Sequence, residues 1–503
     1  MRTKKAILNF LTDALPQIVI AVLGIYKIKV FLSCLGENTL GLYQLYGQLI
    51  VYVTIFEAGM TSSVLFRFFK SIGKKNKKET ETIMATSKTV FNYIGLIIFT
   101  LGLVLSFFVT FFIKDNTFNP LYVQFTFMLF LTSQVVNYFA LSYKTFFEAQ
   151  QKKYVTNLII QPAIVAKSIL EIVLVLSGFE LITILILYII TNVLTNILII
   201  FIYNRSFKDI NKKAEKDFSM LKDIKHLMVH RVSGLVASNI DIVVISKFLG
   251  LSQVVVYTSY NYIVEALRQF IDKIYNSLTG GIGNIVATDK EKSYNIFMEY
   301  NSFVFFVATV ICVPLYYAIT PFINMWYRGE IYTSETLSIL FVAVLFYNII
   351  KAPIHMFIYC AGLFKETKIF YILEVIVHLI LSLILIKHFG IAGALISAMV
   401  SLIICEYLAK PHVIHKKVFN KTTFKYYTKN FVYLTSFVLL IIMFKIMINN
   451  FGIVITDMLS WFIFSSLIFA VNFMITVMIY YTQDDIEFIK RILELWRTRN
   501  AKV

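Results

Sequence analysis

Apolar residues run along this chain in long blocks separated by short polar segments. About twenty apolar residues in a helix span the ~30 Å hydrocarbon core of a bilayer. Blocks of that length lie at 6–33, 41–66, 88–113, 121–146, 154–177, 181–203, 227–249, 253–277, 296–320, 336–360, 369–388, 391–410, 430–450 and 455–481. They predict an all-α integral membrane protein of about fourteen transmembrane helices, because a helix satisfies its own backbone within lipid. Lys4 and Lys5 precede a long apolar stretch with no small-residue cleavage site, so this stretch is read as the first span rather than a signal peptide.

Composition agrees with the pattern. The chain has 503 residues, 58% of them hydrophobic and only 15% charged, too little polar surface to cover a soluble protein of this size. Its net charge of +18 raises the possibility of nucleic acid. The basic residues, however, fall in the short segments between spans, and no nucleic-acid partner is expected. Lys74–Lys78, Lys152–Lys153, Arg205–Lys225, Lys410–Lys429 and Lys490–Lys502 all lie on the side of the N-terminus. Roughly 38 of the 47 Lys and Arg are on that side and about 5 at the other. The positive-inside rule then places both termini in the cytoplasm of a bacterial inner-membrane protein. The opposite loops are short, the longest running from Thr320 to Glu335, which leaves no extracytoplasmic domain. Cys34, Cys312, Cys360 and Cys405 are too widely scattered for a metal site. The polar stretch 204–225 reads as a partly helical cytoplasmic connector near anionic headgroups.

The chain also repeats itself. FLSCLGENTLGLYQLYGQLI joins spans one and two, and ISKFLGLSQVVVYTSYNYIV joins spans seven and eight, with Leu249, Gly250 and Tyr257 echoing Leu35, Gly36 and Tyr43. The predicted organisation is an N-lobe over 1–205, a linker over 206–225, a pseudo-symmetric C-lobe over 226–410, and two added helices with a cytoplasmic tail over 411–503. Internal repeats of this kind are a signature of secondary transporters, whose substrate sites lie between the repeats.

LG-x4-GLY at Leu35–Tyr43, EAGM at Glu57–Met60 with Arg67 closing span two, and IDIVVISKFLG at Ile240–Gly250 carry a resemblance. PFINMWYRGEIY at Pro321–Tyr332, CAGLFKETK at Cys360–Lys368 and FGIAGALIS at Phe389–Ser397 extend it over nearly the whole chain. The chain resembles the polysaccharide transporters of the multidrug/oligosaccharidyl-lipid/polysaccharide flippase superfamily, and most closely the Wzx-type flippases of O-antigen and capsule repeat units. The resemblance implies a MATE-like bundle with a cavity between two lobes, lined largely by spans one, two, seven and eight. It implies membrane lipid and an undecaprenyl-pyrophosphate-linked glycan as partners, with polysaccharide polymerase machinery a further one. No catalytic role and no cofactor are expected; a coupled H+ or Na+ is left open. Span one departs from the Arg-rich pattern of the related peptidoglycan-precursor flippases.

Ionisable residues within spans are costly and mark candidate chemistry. A pyrophosphate crossing the bilayer needs cations to replace its hydration. Arg268, one turn from the mid-membrane Glu265 in span eight, is the leading headgroup candidate, with a structural pair to Glu265 or Asp272 as the alternative. Lys29 and Lys27 near the outer end of span one, Lys351 and Glu57 complete the substrate-binding candidates; for the two lysines the alternative is snorkelling to the headgroups. Asp241, Glu265, Glu374 and His378 are the ion-coupling candidates, with Lys351 and His355 near the last two. Lys167 and Glu171 sit one turn apart in span five and read as self-neutralising. Trp326, Tyr327 and Tyr332 read as an interfacial belt, and Gly280-Gly281-Ile282-Gly283 as a cytoplasmic turn without the features of a phosphate loop.

No nucleotide-binding motif is present. Export of a dianionic headgroup down the membrane potential gains roughly 4–5 kcal/mol at 100 mV. Three rival readings stand beside the flippase: a cation-coupled multidrug antiporter, which calls for an acidic cavity; a membrane polymerase or glycosyltransferase, which calls for a larger outer loop; and a lipid II flippase of the same fold.

Overall fold

The computed structural model describes residues 2–57, 59–114, 117–211, 214–218, 239–288, 290–327, 329, 331–453 and 455–482. These are helical almost throughout, with no strand among the described residues. Eleven of the helices are long and apolar enough to cross a bilayer. The difference from fourteen has three sources. Spans one and two form a single run, much of 227–249 lies outside the described residues, and 253–277 is a helix carrying Glu265, Arg268, Asp272 and Lys273.

Two compact units divide the chain, Met1–Val255 and Val256–Val503. In the first, α1 (Arg2–Val53) is broken at Gly36, where φ 80° and ψ 165° leave helical space. That conformation suits glycine, which lacks the Cβ that clashes at positive φ. The predicted boundary between spans one and two falls there. Gly41 follows, and a Cβ on it would stand 2.2 Å from the Leu251 carbonyl oxygen, so the LG-x4-GLY block owes its second glycine to close backbone packing. The predicted span 41–66 is not one helix. It stops at Val53, passes through a 3-10 turn at Thr54–Glu57, and restarts as α2 (Met60–Gly73) after Gly59 at φ 90°.

The third span begins eleven residues before the apolar block, as α3 (Lys77–Ser106), because Asn76 caps it: its side chain accepts from the Glu79 N–H at 3.1 Å. Helices α4 (Pro120–Val135), α5 (Leu141–Ala149), α6 (Lys153–Leu176) and α7 (Leu181–Ser206) complete this unit's described spans, with α1 along α6 and α4 along α7. Tyr46, fully buried, donates to the Val123 carbonyl at 2.9 Å. Residues 239–248 are helical and are pinned by Ser246 Oγ donating to the Phe112 carbonyl at 2.8 Å. The described part of the connector, 207–211 and 214–218, is irregular rather than helical apart from Phe218. Its backbone N–H groups at Asn211 and Asp217 bond Glu81 and Thr86 of α3. The rest of the connector lies outside the described residues.

The second unit holds α8 (Leu251–Thr288, mostly in this unit), α9 (Lys290–Tyr327), α10 (Glu335–Ile350), α11 (Ala352–Ala361), α12 (Phe364–Phe389) and α13 (Ile391–Ser401). A π-helix at Leu402–Ala409, α14 (Lys410–Ile414) and a second π-helix at His415–Phe419 continue α13, before α15 (Phe424–Phe451) and α16 (Met458–Thr482). Gly280–Gly283 lie inside α8, so the turn expected there is absent. Trp326 and Tyr327 belong to α9 and are buried; Tyr327 accepts from Ser259 Oγ at 2.8 Å, and only Tyr332 of the expected belt is exposed. The last two helices dock on α9 through polar groups, a common glue inside membranes. Asn301 Nδ2 donates to Asn430 Oδ1 at 2.6 Å, Tyr433 OH to Ser302 Oγ at 2.8 Å, and Asn472 Nδ2 to the Thr309 carbonyl at 3.2 Å.

The outer surfaces are apolar. Leu121, Phe431 and Leu459 are each about 70% exposed among many leucines, isoleucines and phenylalanines like them. Water would not tolerate so continuous an apolar surface; lipid does. The chain is a multi-pass membrane protein.

Candidate functional site

Among the described residues, two charged clusters lie within the spans, one in each unit. In the first, Glu171 of α6 is completely buried and is met by two ammonium groups. Lys27 Nζ of α1 stands 3.0 Å from Oε2, and Lys167 Nζ of α6 stands 3.9 Å from Oε1. Both lysine side chains keep 20% of their surface exposed. The Lys167 ammonium lies 4.1 Å from the centre of the Tyr188 ring, and the Tyr188 hydroxyl lies 3.0 Å from that of Tyr43. Two ammonium groups thus flank one buried carboxylate here. Lys27 is thus ion-paired to Glu171, and the Lys167–Glu171 pair is not self-contained. The missed signal was tertiary: Lys27 and Glu171 are far apart in sequence and meet only because α1 runs along α6.

Lys29 is partly buried and has no ion-pair partner among the described residues. Glu57, on the 3-10 turn, accepts from the Tyr138 hydroxyl at 2.7 Å and from the Thr61 hydroxyl at 2.8 Å. This is a satisfied carboxylate at a helix break, without a cation in contact among the described residues. Asp241 is buried within electrostatic reach of Tyr52.

In the second unit, Arg268 of α8 grips Glu265, Nε to Oε1 at 2.9 Å and Nη2 to Oε2 at 2.6 Å, while Nη1 lies 3.6 Å from Asp272. Its fork is thus committed to two carboxylates of its own helix, which weakens its candidacy as the headgroup cation. Asp272 in turn lies in the field of Lys351 and His355. Lys351 sits at the break between α10 and α11, where Pro353 restarts the helix. On α11, His355 Nε2 lies 2.8 Å from Glu406 Oε2, and its Nδ1 faces the Tyr371 hydroxyl at 3.5 Å. The other Glu406 oxygen accepts from Lys410, whose ammonium caps the Tyr371 ring 3.1 Å from its centre. Glu374 of α12 lies in the field of Glu406, Lys351 and Lys410. His378, one turn on, is buried.

Of the residues that the sequence places together, Lys351, His355, Glu374 and His378, the structure gathers the first three around Glu406 and Lys410, which spacing alone does not mark. The signal was present as a Glu four residues before a Lys inside one apolar block. By apolar length alone the block ends at 410, and Lys410 reads as the edge of a loop. The helix instead continues through Phe419, and Lys410 is fully buried.

No protein-family profile and no curated protein sequence matches the chain. Similar solved structures exist. The lipid II flippase MurJ in an inward closed conformation matches 93% of this chain and 98% of its own, at 15% identity and a TM-score of 0.69. An inward-facing multidrug resistance MATE family transporter of the MOP superfamily matches 80% of this chain and 96% of its own, at 14% identity and a TM-score of 0.59. A MATE transporter of Vibrio cholerae matches 84% and 99%, at 14% identity and a TM-score of 0.53. The chain has the fold of MATE transporters and of MurJ, and these structural neighbours are transporters and a flippase rather than enzymes.

Proposed function

We propose that this protein is a flippase that carries undecaprenyl-pyrophosphate-linked oligosaccharide repeat units of a surface polysaccharide from the inner to the outer leaflet of the bacterial cytoplasmic membrane by alternating access. The observation that carries a lipid cargo is the extent of the structural likeness. The match to a lipid flippase takes in 93% of the chain, whereas the two MATE transporters account for 80% and 84%. Charge supports the same reading. The Lys27–Glu171–Lys167 cluster sets two ammonium groups beside one carboxylate inside an apolar unit, and Lys29 lies near it in sequence. Such a site suits an anionic headgroup and repels a cationic drug. Lys27, Lys167 and Lys29 are accordingly the proposed headgroup contacts. Arg268 and Lys351 take a secondary place, and Glu57 a structural one. The membrane potential, negative inside, drives the exported dianion with roughly 4–5 kcal/mol at 100 mV.

A second reading keeps the fold and the headgroup and changes the glycan. A structural neighbour that covers 93% of this chain is a lipid II flippase, and the peptidoglycan precursor is the alternative cargo. Deleting the gene in its native bacterium separates the readings. Loss of surface polysaccharide with single repeat units trapped on the cytoplasmic leaflet is expected. Lysis with trapped lipid II points to the second cargo. Intact envelopes with altered sensitivity to cationic drugs overturn both and favour an antiporter.

A further inference from the structure

The start of α15 borders a cavity of about 720 Å³ that the flippase reading does not use. On the orientation predicted from the basic loops, it opens at the cytoplasmic boundary of the bilayer. His412, Thr422 and Thr423 line one end, and Phe431 and Val432 the other. The first two turns of α15 run between them, about 12 Å of helix. The polar end is held by hydrogen bonds. His412 Nδ1 donates to the Leu408 carbonyl at 2.8 Å, and the Tyr427 hydroxyl donates to the same oxygen at 2.7 Å. His412 Nε2 is left facing the Thr423 hydroxyl at 3.4 Å. The Thr422 hydroxyl has no hydrogen-bond partner among the described residues. At the other end, Phe431 is 70% and Val432 45% exposed, continuous with the apolar outer surface. Charge surrounds the polar end. Five lysines, Lys416, Lys417, Lys421, Lys425 and Lys429, lie within this stretch, and the sequence has no Asp or Glu between Glu406 and Asp457. Lys416, Lys417, Lys421 and Lys425 are exposed and have no ion-pair partner among the described residues. The Lys421 ammonium lies 4.0 Å from the centre of the Tyr294 ring, which fixes it beside the loop that opens α15.

We propose that this cavity seats an anionic glycerophospholipid, with its phosphate against Lys421, Lys425 and the Thr422 hydroxyl and one acyl chain along Phe424, Phe431 and Val432. Charge complementarity selects the headgroup, because a basic rim at the edge of a bilayer attracts an anionic lipid and not a zwitterionic one. The apolar end selects a lipid over a free phosphate, which has nothing to place against Phe431 and Val432. The small number of open polar groups argues against the glycan-bearing cargo. The Tyr427 hydroxyl is spent on Leu408 and the Thr428 hydroxyl on the Phe424 carbonyl at 3.1 Å, which leaves little to hold an oligosaccharide. The site lies in the other unit from Lys27 and Lys167 and is independent of which cargo is carried. Its occupant joins the loop after the second π-helix to α15, so anionic lipid becomes part of what holds that helix in place.

The test uses the full-length protein in phosphatidylcholine nanodiscs doped with a phosphatidylglycerol that carries a photoreactive group near the glycerol end of one acyl chain. Labelled positions are mapped by mass spectrometry. The expected label falls between Phe424 and Val432, is competed by plain phosphatidylglycerol and is not competed by added phosphatidylcholine. At about fivefold per lysine, Lys421→Gln/Lys425→Gln should lower it on the order of twentyfold. Val432→Trp fills the apolar end without a change of charge and should lower it by about tenfold, as expected of a shaped site. Lys365→Gln/Lys368→Gln removes the same charge from an exposed segment elsewhere in this unit and should change it by less than about twofold. Equal losses in the two lysine pairs, or competition by phosphatidylcholine as strong as by phosphatidylglycerol, reduce the effect to general surface attraction and overturn the proposal. Displacement by an undecaprenyl-pyrophosphate-linked disaccharide but not by phosphatidylglycerol overturns it in favour of the cargo. Labelling that appears only in Asp484→Asn/Asp485→Asn/Glu487→Gln overturns it in favour of the acidic start of the C-terminal tail as the occupant.

Discussion

Each unit surrounds one buried glutamate with two nitrogen partners, yet the two arrangements are built for different ends. Around Glu171 the partners are both lysines, both partly exposed. Around Glu406 they are a sealed lysine and a histidine, with a second carboxyl alongside. On the proposed reading, the first cluster releases a lysine toward an arriving anion while Glu171 keeps the other. The second cannot release Lys410 without stranding two charges in an apolar core. A cation with surface and a spare partner is suited to cargo. A cation with neither serves to hold a site in shape.

That contrast can be broken most sharply at Glu406. Glu406→Gln should destabilise the protein by about 3–5 kcal/mol, since it leaves the Lys410 ammonium buried and unpaired. Thermal unfolding in detergent should show it, with Glu406→Gln/Lys410→Met recovering most of the loss. If the single variant is as stable as the parent, Lys410 is not held as described. The equivalent change in the first unit, Glu171→Gln, should cost only about 1–2 kcal/mol, because both lysines can turn toward their exposed sides. Equal losses in the two units would erase the distinction between them.

Binding sharpens it further. Lys27→Gln and Lys167→Gln should each weaken retention of an undecaprenyl-pyrophosphate probe by about tenfold, or about 1.4 kcal/mol. Arg268→Gln should change it by less than about threefold while lowering stability, its guanidinium being committed to Glu265 and Asp272. A reversed order of effects returns Arg268 to the headgroup site. The smallest expected effect belongs to the docking of the last two helices. Asn430→Ala removes the acceptor of Asn301 and should cost about 1 kcal/mol, read as a modest fall in unfolding temperature.

The sequence made the helices legible, but not all their ends. Apolar length predicts a span and says little of where a helix stops once polar caps extend it, as Asn76 does at α3, or a buried Lys lies within it, as at 410. The break at Gly36 could be read because a glycine pair in a polar gap marks a turn wherever it occurs. The break at Gly59 could not, since apolar residues continue on both sides and only the hydrogen bonds from Tyr138 and Thr61 to Glu57 explain it.

By itself, then, the sequence determined that this chain lives in a bilayer, since continuous apolar length has no other stable medium. It also marked most of the ionisable residues worth asking about, because each is expensive in lipid. Only the tertiary structure decided which of them are spent on one another. Pairing depends on which helices lie side by side. Lys27 meets Glu171 across α1 and α6, and His355 meets Glu406 across α11 and the π-helix, through contacts that no spacing along one helix encodes. Arg268 shows the converse: its partners are one turn away, so its neutralisation was written in the sequence, and the geometry supplied only the bond lengths.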